Sequence, residues 1–370
     1  MSTSFSVLAA PRDDNPYQSL LYTEVIAAGI DVRYDEGPTG SQTVNLLLAP
    51  ALLARFRLKG FKILHLHWVF QFSLPWAPNR PWALRLMEWW FGVYLRTATV
   101  LGYRIIWTSH DLLPHEQVFA DDTRARDFLL SKAAAVIALS EVTAAQLTSL
   151  GAKNVRVIPE GPRANLYSIS QTTQEARASF GFEPDDTVAL FIGKLSSYKG
   201  VDQLLSAAQL LPPTSRIKIL IAGTCLSDAY RDEVLRLAEF VAERVVVNLE
   251  WVPEEDVARY HQAADFAVFP FREVSNSASV LLARSFGLPV IIPDLANLCD
   301  VPSESAIRFE PGNIEQLAAA LEKAEHVSED EYQGMRTAAA SKVVQTDWRT
   351  AGLLTIDTYR AALDANRRDR

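Results

Sequence analysis

Short apolar runs alternate with amphipathic stretches along most of this 370-residue chain. Runs such as Thr187–Ile192, Ile217–Ala222 and Val290–Pro293 predict buried strands. Stretches such as Val201–Leu211 and Glu254–Ala263 repeat apolar residues at helical spacing and predict the helices between them. Strands that alternate with helices predict parallel sheets covered by helices.

The chain is longer than one hydrophobic core usually supports, so two doubly wound, Rossmann-like α/β domains are expected. Residues Pro159–Asp186 begin with Pro159, Gly161 and Pro162, continue with a polar run from Ser168 to Thr173, and predict a linker. The predicted domains are 1–165 and 166–345, with 346–370 as a helix that packs back on the first domain. Ligands of such sheets bind beyond the carboxyl ends of the strands, so the chemistry is expected in the loops there.

The composition limits the possible partners and compartments. The net charge of −8 disfavours nucleic acid as a partner. Cys225 and Cys299 lie far apart and in no metal-ligand spacing, which fits a reducing cytoplasm. The start of the sequence lacks the pattern of a signal peptide, and no apolar run reaches the roughly 20 residues that span a bilayer.

The segment Trp68–Gly102 holds five of the eight tryptophans. Aromatic residues at helical spacing together with Arg85 and Arg96 are typical of a helix that lies in a membrane interface. A core helix packed on a sheet uses aromatic residues equally well. The predicted location is therefore the cytoplasm, either free or peripherally bound to the inner face of the cell membrane.

Two loops of the second half suit a diphosphate. Gly193 at a strand end lets backbone pass close to a ligand, and Lys194 and Lys199 place cations before a helix N-terminus. The spacing is not that of a P-loop, and solvated lysines in an ordinary loop are the alternative. After a later strand, small polar residues at a helix start either receive phosphate oxygens or form an N-cap; these are Ser275, Asn276, Ser277 and Ser279.

The order of several short motifs resembles the GT-B glycosyltransferases, in particular glycosyltransferase family 4. The matching motifs are Val157–Gly161, Gly193–Leu195 with Lys199–Gly200, Ala264–Asp265, Phe286–Val290 and Phe309–Asn313. The resemblance implies two Rossmann-like domains that face each other across a cleft. It also implies that Lys194 and Lys199 bind the donor diphosphate, that Trp251 and Val252 border the base, and that neither a metal nor a cofactor is needed.

One departure from the family pattern concerns stereochemistry. The resemblance places a pair of glutamates at Val274 and Leu282, and neither residue is acidic. Glu273 is adjacent to the first position, but nothing replaces the second. In retaining members this pair contacts the donor sugar and ribose, so its loss favours inversion.

The first half offers candidate catalytic groups. Ser109–Glu116 follows a predicted strand and carries His110, Asp111 and Glu116, which either act near the reacting hydroxyl or cap and pair locally. Asp14 is a competing candidate base. The resemblance implies that His110 contacts the donor sugar.

Residues expected to line the acceptor site follow two other predicted strands. They are Asn15, Tyr17, His67 and Trp68, and aromatic faces among them suit sugar rings. His65 and His67 alternate like a metal pair, but no third ligand lies nearby, so no metal is predicted.

The histidine-rich motifs and the Ser275–Ser279 stretch are most similar to bacterial exopolysaccharide β-mannosyltransferases. The predicted function is transfer of a hexose, as mannose from GDP-mannose, to a glycan or polyprenol-linked acceptor with inversion. Two alternatives stay open: a retaining family 4-like enzyme that uses a UDP-sugar, and an inactive protein that binds sugar nucleotides. A two-domain sugar-phosphate epimerase is a more distant alternative.

Overall fold

The computed structural model describes residues 5–13, 15–35, 37–69, 72, 74, 76–77, 80–114, 117–343 and 347–368. The chain divides into two compact units. The first unit is Met1–Glu160 with Asp347–Arg370, and the second is Gly161–Thr346. Each unit contains a parallel sheet of six strands flanked by helices, so the predicted α/β class is confirmed.

The first unit is built on a sheet with the strand order β2-β1-β3-β4-β5-β6. Its strands are β1 (Ser6–Ala10), β2 (Asp31–Tyr34), β3 (Phe61–Leu66), β4 (Arg104–Ser109), β5 (Ala133–Ala138) and β6 (Val155–Val157). Its helices are α1 (Pro16–Ala27), α2 (Gln42–Leu58), α3 (Pro81–Val100), α4 (Asp122–Lys132), α5 (Glu141–Ser149) and, at the end of the chain, α13 (Trp348–Arg368). The strand order reverses between β1 and β3, so the loops that follow these two strands leave a crevice between them.

The second unit has the strand order β12-β11-β10-β7-β8-β9. Its strands are β7 (Thr187–Ile192), β8 (Ile217–Ala222), β9 (Val245–Asn248), β10 (Phe266–Val268), β11 (Val290–Pro293) and β12 (Ala306–Phe309). Its helices are α6 (Thr173–Phe180), α7 (Val201–Leu210), α8 (Asp228–Glu239), α9 (Glu254–Ala263), α10 (Ala278–Ser285), α11 (Ile314–Glu325) and α12 (Glu329–Val343). Here the order reverses between β7 and β10.

The predicted linker Pro159–Asp186 is not a loop throughout, because it contains α6. The polar run before this helix supplies a capping box, in which Thr172 and Glu175 each bond the backbone of the other. Arg177 on α6 then donates to the Asp265 carboxylate at 2.5 Å, in the second unit. The polar residues before α6 predict a linker, but in the structure their side chains cap the helix.

Helix α3 contains the tryptophan-rich sequence and divides it between two faces. Smaller and aliphatic residues such as Ala83, Met87 and Leu95 are buried against the first unit. Trp82 and Trp89 are 50% and 59% exposed. Phe91 and Tyr94 are buried on the core face, so the aromatic residues of this helix are divided between the core and the surface. Among the described residues, no helix is long and apolar enough to cross a membrane.

Two glycines join the ends of β7 and β8. Gly193 and Gly223 have φ angles of 147° and 134°, and a Cβ on Gly223 would lie 1.9 Å from the carbonyl oxygen of Gly193. We expect Gly223→Ala to lower the free energy of unfolding of the second unit by about 2 kcal/mol or more, because the backbone has to move. Gly181→Ala is the matched control, since φ there is 77° and no atom lies within 4 Å of the added Cβ.

Denaturant unfolding measures both variants. The control is expected to lose about 1 kcal/mol from its left-handed backbone alone. Equal losses in the two variants would contradict the close approach of the two strand ends.

Candidate functional site

The loop after β7 carries the predicted donor-side cations. Lys194 is exposed, whereas Lys199 is half-buried, with its ammonium 4.4 Å from the ring centre of Phe271 and 5.0 Å from that of Tyr198. These distances allow cation–π attraction, which holds the Lys199 side chain at the start of α7. The positive end of the α7 dipole lies beside it, so this point favours an anion.

Arg272 ties the loop after β7 to the loop after β10. Its guanidinium donates to both Asp202 carboxylate oxygens, at 2.9 and 2.5 Å, and to the carbonyl oxygen of Ser197. Its backbone N–H donates to the carbonyl oxygen of Tyr198 at 2.9 Å. Burial alone would raise the pKa of the Asp202 carboxyl, but hydrogen bonds from Arg272 and Tyr230 outweigh it and lower that pKa. Asp202 is therefore an ionised partner that fixes the loop.

The serine-rich segment enters α10 from the same crevice. Ser277 is the N-cap, since its hydroxyl accepts from the N–H of Val280 at 3.2 Å. Ser279 lies beside Gly193, because a Cβ on that glycine would be 3.0 Å from the Ser279 hydroxyl oxygen. Asn297 holds the preceding loop by donating to the carbonyl oxygens of Val274 and Ser275, at 2.8 and 3.1 Å. Ser275 and Asn276 are half-buried in this segment.

The remaining predicted donor residues lie further from this point. Trp251 and Val252 follow β9, the edge strand beyond β8, and Trp251 is 70% exposed. Glu273 is exposed, whereas Val274 packs partly buried against the core. The structure thus brings Gly193, Lys199 and Ser279 together at the reversal of the sheet.

In the first unit, rings from four segments of the chain gather at the carboxyl end of the sheet. His110, which follows β4, stacks on Trp68 with 4.0 Å between ring centres and 9° between planes. Tyr17 at the start of α1 meets His110 edge-on at 4.7 Å, and Trp348 of α13 lies 5.4 Å from Tyr17. Asn15 is the N-cap of α1, where its side chain accepts from the N–H of Tyr17.

Of the other three predicted catalytic residues, the structure describes Asp111. Asp111 is half-buried next to His110, and its carbonyl oxygen accepts from the Ser109 hydroxyl at 3.3 Å. Asp14 and Glu116 lie outside the described residues. Their predicted roles stay predictions.

A buried chain of hydrogen bonds runs beneath these rings. His65 contacts the hydroxyl of Thr108 at 2.8 Å through Nε2, and the hydroxyls of Tyr359 and Tyr22 at 2.6 and 2.9 Å through Nδ1. The Tyr22 hydroxyl also contacts His67 Nε2 at 2.6 Å, and His67 Nδ1 contacts His110 Nε2 at 3.2 Å. Tyr359 is 294 positions from His65, so sequence spacing gave no signal for this contact.

Burial keeps the two inner histidines neutral. It lowers the pKa of His65 to about 3. Burial, followed by the neighbouring His65 and His110 rings, lowers the pKa of His67 well below its ordinary value. Both nitrogens of His65 face hydroxyl groups, and the described residues contain no group of three His, Cys, Asp or Glu side chains placed to hold a metal ion.

The hydrogen-bond contacts along this chain predict the tautomer of His67. A phenol is a better donor than a neutral imidazole, so we expect Tyr359 to donate to His65 and Tyr22 to donate to His67 Nε2. A neutral His67 then carries its proton on Nδ1 and donates it to His110 Nε2. Neutral His110 consequently keeps its own proton on Nδ1.

The sequence of the second unit is similar to a known protein family. Residues 172–342 match the profile of the family described as Glycosyl transferases group 1. The second unit contains a group 1 glycosyl transferase domain. That domain holds every residue predicted to bind the donor, whereas His110 and the acceptor residues lie outside the matched range.

Several named relatives are similar to part of the chain. O-antigen chain mannosyltransferase B of Escherichia coli is 27% identical over 177 residues, which are 46% of this chain and 45% of that protein. D-inositol 3-phosphate glycosyltransferase of Mycobacterium sp. (strain JLS) is 31% identical over 176 residues, 46% of this chain and 39% of that protein. The chain thus matches under half the length of both relatives.

Solved structures resemble the chain over nearly its whole length. Sucrose-phosphate synthase from Thermosynechococcus elongatus has a TM-score of 0.75 at 20% identity, covering 98% of this chain and 100% of that one. Anabaena HepE in complex with UDP-glucose has a TM-score of 0.69 at 16% identity, covering 96% and 99%. The predicted GT-B fold is confirmed.

The hydrogen-bond chain predicts a measurable tautomer. In the histidine nitrogen chemical shifts, neutral His110 is expected to carry its proton on Nδ1. Tyr22→Phe removes the donor to His67 Nε2, so the His110 proton should shift towards Nε2. Tyr103→Phe is the control, because its hydroxyl donates to the backbone carbonyl oxygen of Leu53 rather than to an imidazole. A wild-type His110 protonated on Nε2 would show the proposed direction of donation to be wrong.

The neutral state of His65 predicts a pH dependence of stability. Its folded pKa of about 3 lies below the unfolded value near 6.5, so the unfolded state binds more protons at acidic pH. This contribution is fully present above pH 6.5 and is lost as the pH falls, by about 1.5 kcal/mol between pH 6.5 and pH 5.

Denaturant unfolding of wild type and His65→Gln at both pH values isolates that contribution. The variant is expected to have a shallower pH dependence, whatever its absolute stability. Parallel pH profiles for the two proteins would contradict a neutral His65.

Proposed function

We propose that this chain is a glycosyltransferase that moves a hexose from a nucleotide sugar to a hydroxyl group of a glycan or a lipid-linked acceptor. The observation that carries the proposal is the convergence of Gly193, Lys199 and Ser279 at the sheet reversal of the group 1 domain. Glycosyl transfer needs stabilisation of a departing diphosphate, and cations with helix N-termini supply it.

The donor nucleotide would lie along the loops after β7 and β10. Lys199 and Lys194 would neutralise the phosphates, while the Ser279 hydroxyl and the backbone N–H groups at the start of α10 would donate to phosphate oxygens. The side of Gly193 without a Cβ lets the diphosphate approach the backbone. Trp251 and Val252 would border the base.

Mannose from GDP-mannose, with inversion, is the proposed donor chemistry. The relative named as a mannosyltransferase supports the sugar. Val274 and Leu282 at the positions of the retaining glutamate pair support inversion. A retaining enzyme that uses a UDP-sugar is the second candidate, favoured by HepE, whose solved complexes contain UDP and UDP-glucose. Glu273 would be its acidic residue.

The first unit would bind the acceptor. Trp68 would stack on a sugar ring, and Asn15 lies at the start of α1. Tyr17 and His67 are buried, at 2% and 1% exposed, so they would position the Trp68 and His110 rings rather than touch the acceptor. With its Nδ1 proton, neutral His110 would donate a hydrogen bond to a sugar oxygen rather than act as the base. Asp111, Asp14 and Glu116 then stay the candidates for the base.

Contact with the inner face of the cell membrane is proposed for α3. Trp82, Leu86 and Trp89 are exposed on it, and Arg85 and Arg96 are exposed nearby. Aromatic residues with arginines suit the interface of an anionic membrane. Flotation of the purified chain with anionic and neutral vesicles tests this contact, which requires binding to the anionic ones.

A donor screen tests the proposed activity. Released GDP or UDP is measured for mannose and glucose donors with lipid-linked and free glycan acceptors, and NMR of the product gives its anomeric configuration. Turnover of GDP-mannose with inversion supports the proposal. Binding without turnover of any donor would favour an inactive sugar-nucleotide-binding protein.

Lys199→Ala is expected to raise the donor KM about tenfold or more, because a charge-assisted phosphate contact contributes about 1.5 to 3 kcal/mol. Lys218→Ala is the matched control in the same unit. The Lys218 ammonium donates to the carbonyl oxygen of Glu243, and the residue lies at the amino end of β8, away from the loops that follow the strands. Steady-state kinetics on nucleotide release measures both variants. An unchanged KM in Lys199→Ala would remove the assignment of the diphosphate to this loop.

A further inference from the structure

A cavity of about 500 Å³ lies within the first unit, between the ends of β1 and β2 and the helices α2 and α3. This volume is within the range of small-molecule sites and is far above an ordinary packing defect. Trp68 and Arg12 contribute to its wall, so it adjoins the predicted acceptor residues. Most of its lining residues have no role in the function proposed above.

One side of the cavity carries the carboxyl group of Asp35, which accepts a hydrogen bond at only one of its oxygens among the described residues. Asp35 follows β2, and its N–H donates to the carbonyl oxygen of Ala9 at 2.8 Å. The hydroxyl of Tyr94 donates to Asp35 Oδ2 at 3.3 Å, whereas Oδ1 is buried without a hydrogen-bond partner among the described residues. Burial raises the pKa of this carboxyl to about 6. Asp35 lines the cavity, so its carboxyl group is a hydrogen-bond acceptor in the wall for a ligand hydroxyl bound there.

The rest of the cavity wall is mainly apolar. Apolar side chains line it from three elements and from the segment after β3: Leu46, Ala49, Leu66, Val69, Phe72 and Phe91. The ring of Phe72 lies 5.3 Å from that of Phe91 and 5.7 Å from that of Tyr94. These aromatic rings place an apolar surface next to the Asp35 side of the cavity.

The loop between β2 and α2 is fixed in place around the cavity. Asn45 accepts from the N–H and the hydroxyl of Thr39, at 3.1 and 2.7 Å, and donates to the carbonyl oxygen of Thr39 at 2.7 Å. A Cβ on Gly37 would lie 1.9 Å from Asn45 Cγ, so only glycine fits there without movement. The cavity is therefore a preformed feature of the fold.

We propose that this cavity binds an amphiphile, with a hydroxylated head on Asp35 and a hydrocarbon chain on Leu46, Phe72 and Phe91. The role of this ligand as the acceptor rests on the proposed function, and it narrows the acceptor class to sugars or alcohols attached to an apolar chain. Helix α2 connects the cavity with the surface, because Leu46 lines the cavity while Leu47 is 50% exposed. A chain anchored in an apolar surface could thus reach Asp35.

Calorimetric titration of the purified full chain with octyl mannoside, below its micelle concentration and without a donor, tests the proposal. One molecule is expected to bind per chain. Methyl mannoside lacks the apolar chain and 1-methoxyoctane lacks a hydroxyl group, so each should bind at least about tenfold more weakly. Equal binding of 1-methoxyoctane would overturn the role of Asp35, and binding of many molecules per chain would indicate a surface effect only.

Two pairs of variants locate the site. Asp35→Asn is expected to weaken binding of octyl mannoside about tenfold, whereas Asp31→Asn, an exposed carboxyl on the same strand, should leave it unchanged. Leu46→Trp fills the cavity and should abolish binding, whereas Leu47→Trp, its neighbour on the surface, should not. Circular dichroism establishes folding of each variant.

Binding that survives both Asp35→Asn and Leu46→Trp in folded protein would refute the site. The binding assay needs no nucleotide sugar, so its result is independent of the donor screen. Amphiphile binding without turnover of any donor would reject the proposed function and leave the site intact. Turnover of a donor without amphiphile binding would support the proposed function and reject the cavity as a binding site.

Discussion

A parallel sheet whose strand order reverses sends the loops on either side of the reversal to opposite faces, and the gap between them is open to a ligand. Both units of this chain depend on that constraint. In the first unit the reversal lies between β1 and β3, and in the second between β7 and β10. Some of the candidate residues follow the strands at these points: Tyr17 and Trp68 in the first unit, and Gly193 and Lys199 in the second.

In the second unit, contacts within the protein fix the loops after β7 and β10 on either side of the crevice. Arg272 joins two loops through Asp202 and a backbone carbonyl, and Lys199 rests on an aromatic ring. Paired glycines let two strand ends approach more closely than side chains permit. A charged ligand would therefore meet a surface that is already ordered, which lowers the entropy lost on binding.

In the first unit, neutral polar groups replace charges. Two buried histidines and two tyrosines form a chain of hydrogen bonds that ends at His110, and burial keeps its imidazoles uncharged. The orientation of the His110 ring is thus set by the buried residues beneath it. Asp35 differs from this arrangement, because one of its buried oxygens has no partner among the described residues. This difference separates a structural polar network from a binding group.

The sequence by itself determined the fold class and most of the strands and helices. Periodicity and chain order carry this information, because each strand and helix is specified by residues within about a dozen positions of one another. Local signals also identified Gly193, Lys199 and the serines before α10. The capping box at Thr172 was a local signal too, and its polar residues were misread as a linker.

Tertiary structure decided the contacts between distant parts of the chain. The pairing of Arg272 with Asp202 joins residues 70 positions apart, and Tyr359 reaches His65 across 294 positions. The cavity beside Asp35 likewise requires the ends of two strands to meet α2 and α3. Hydrogen-bond satisfaction and empty volume are properties of packed atoms, so no pattern along a single sequence specifies them.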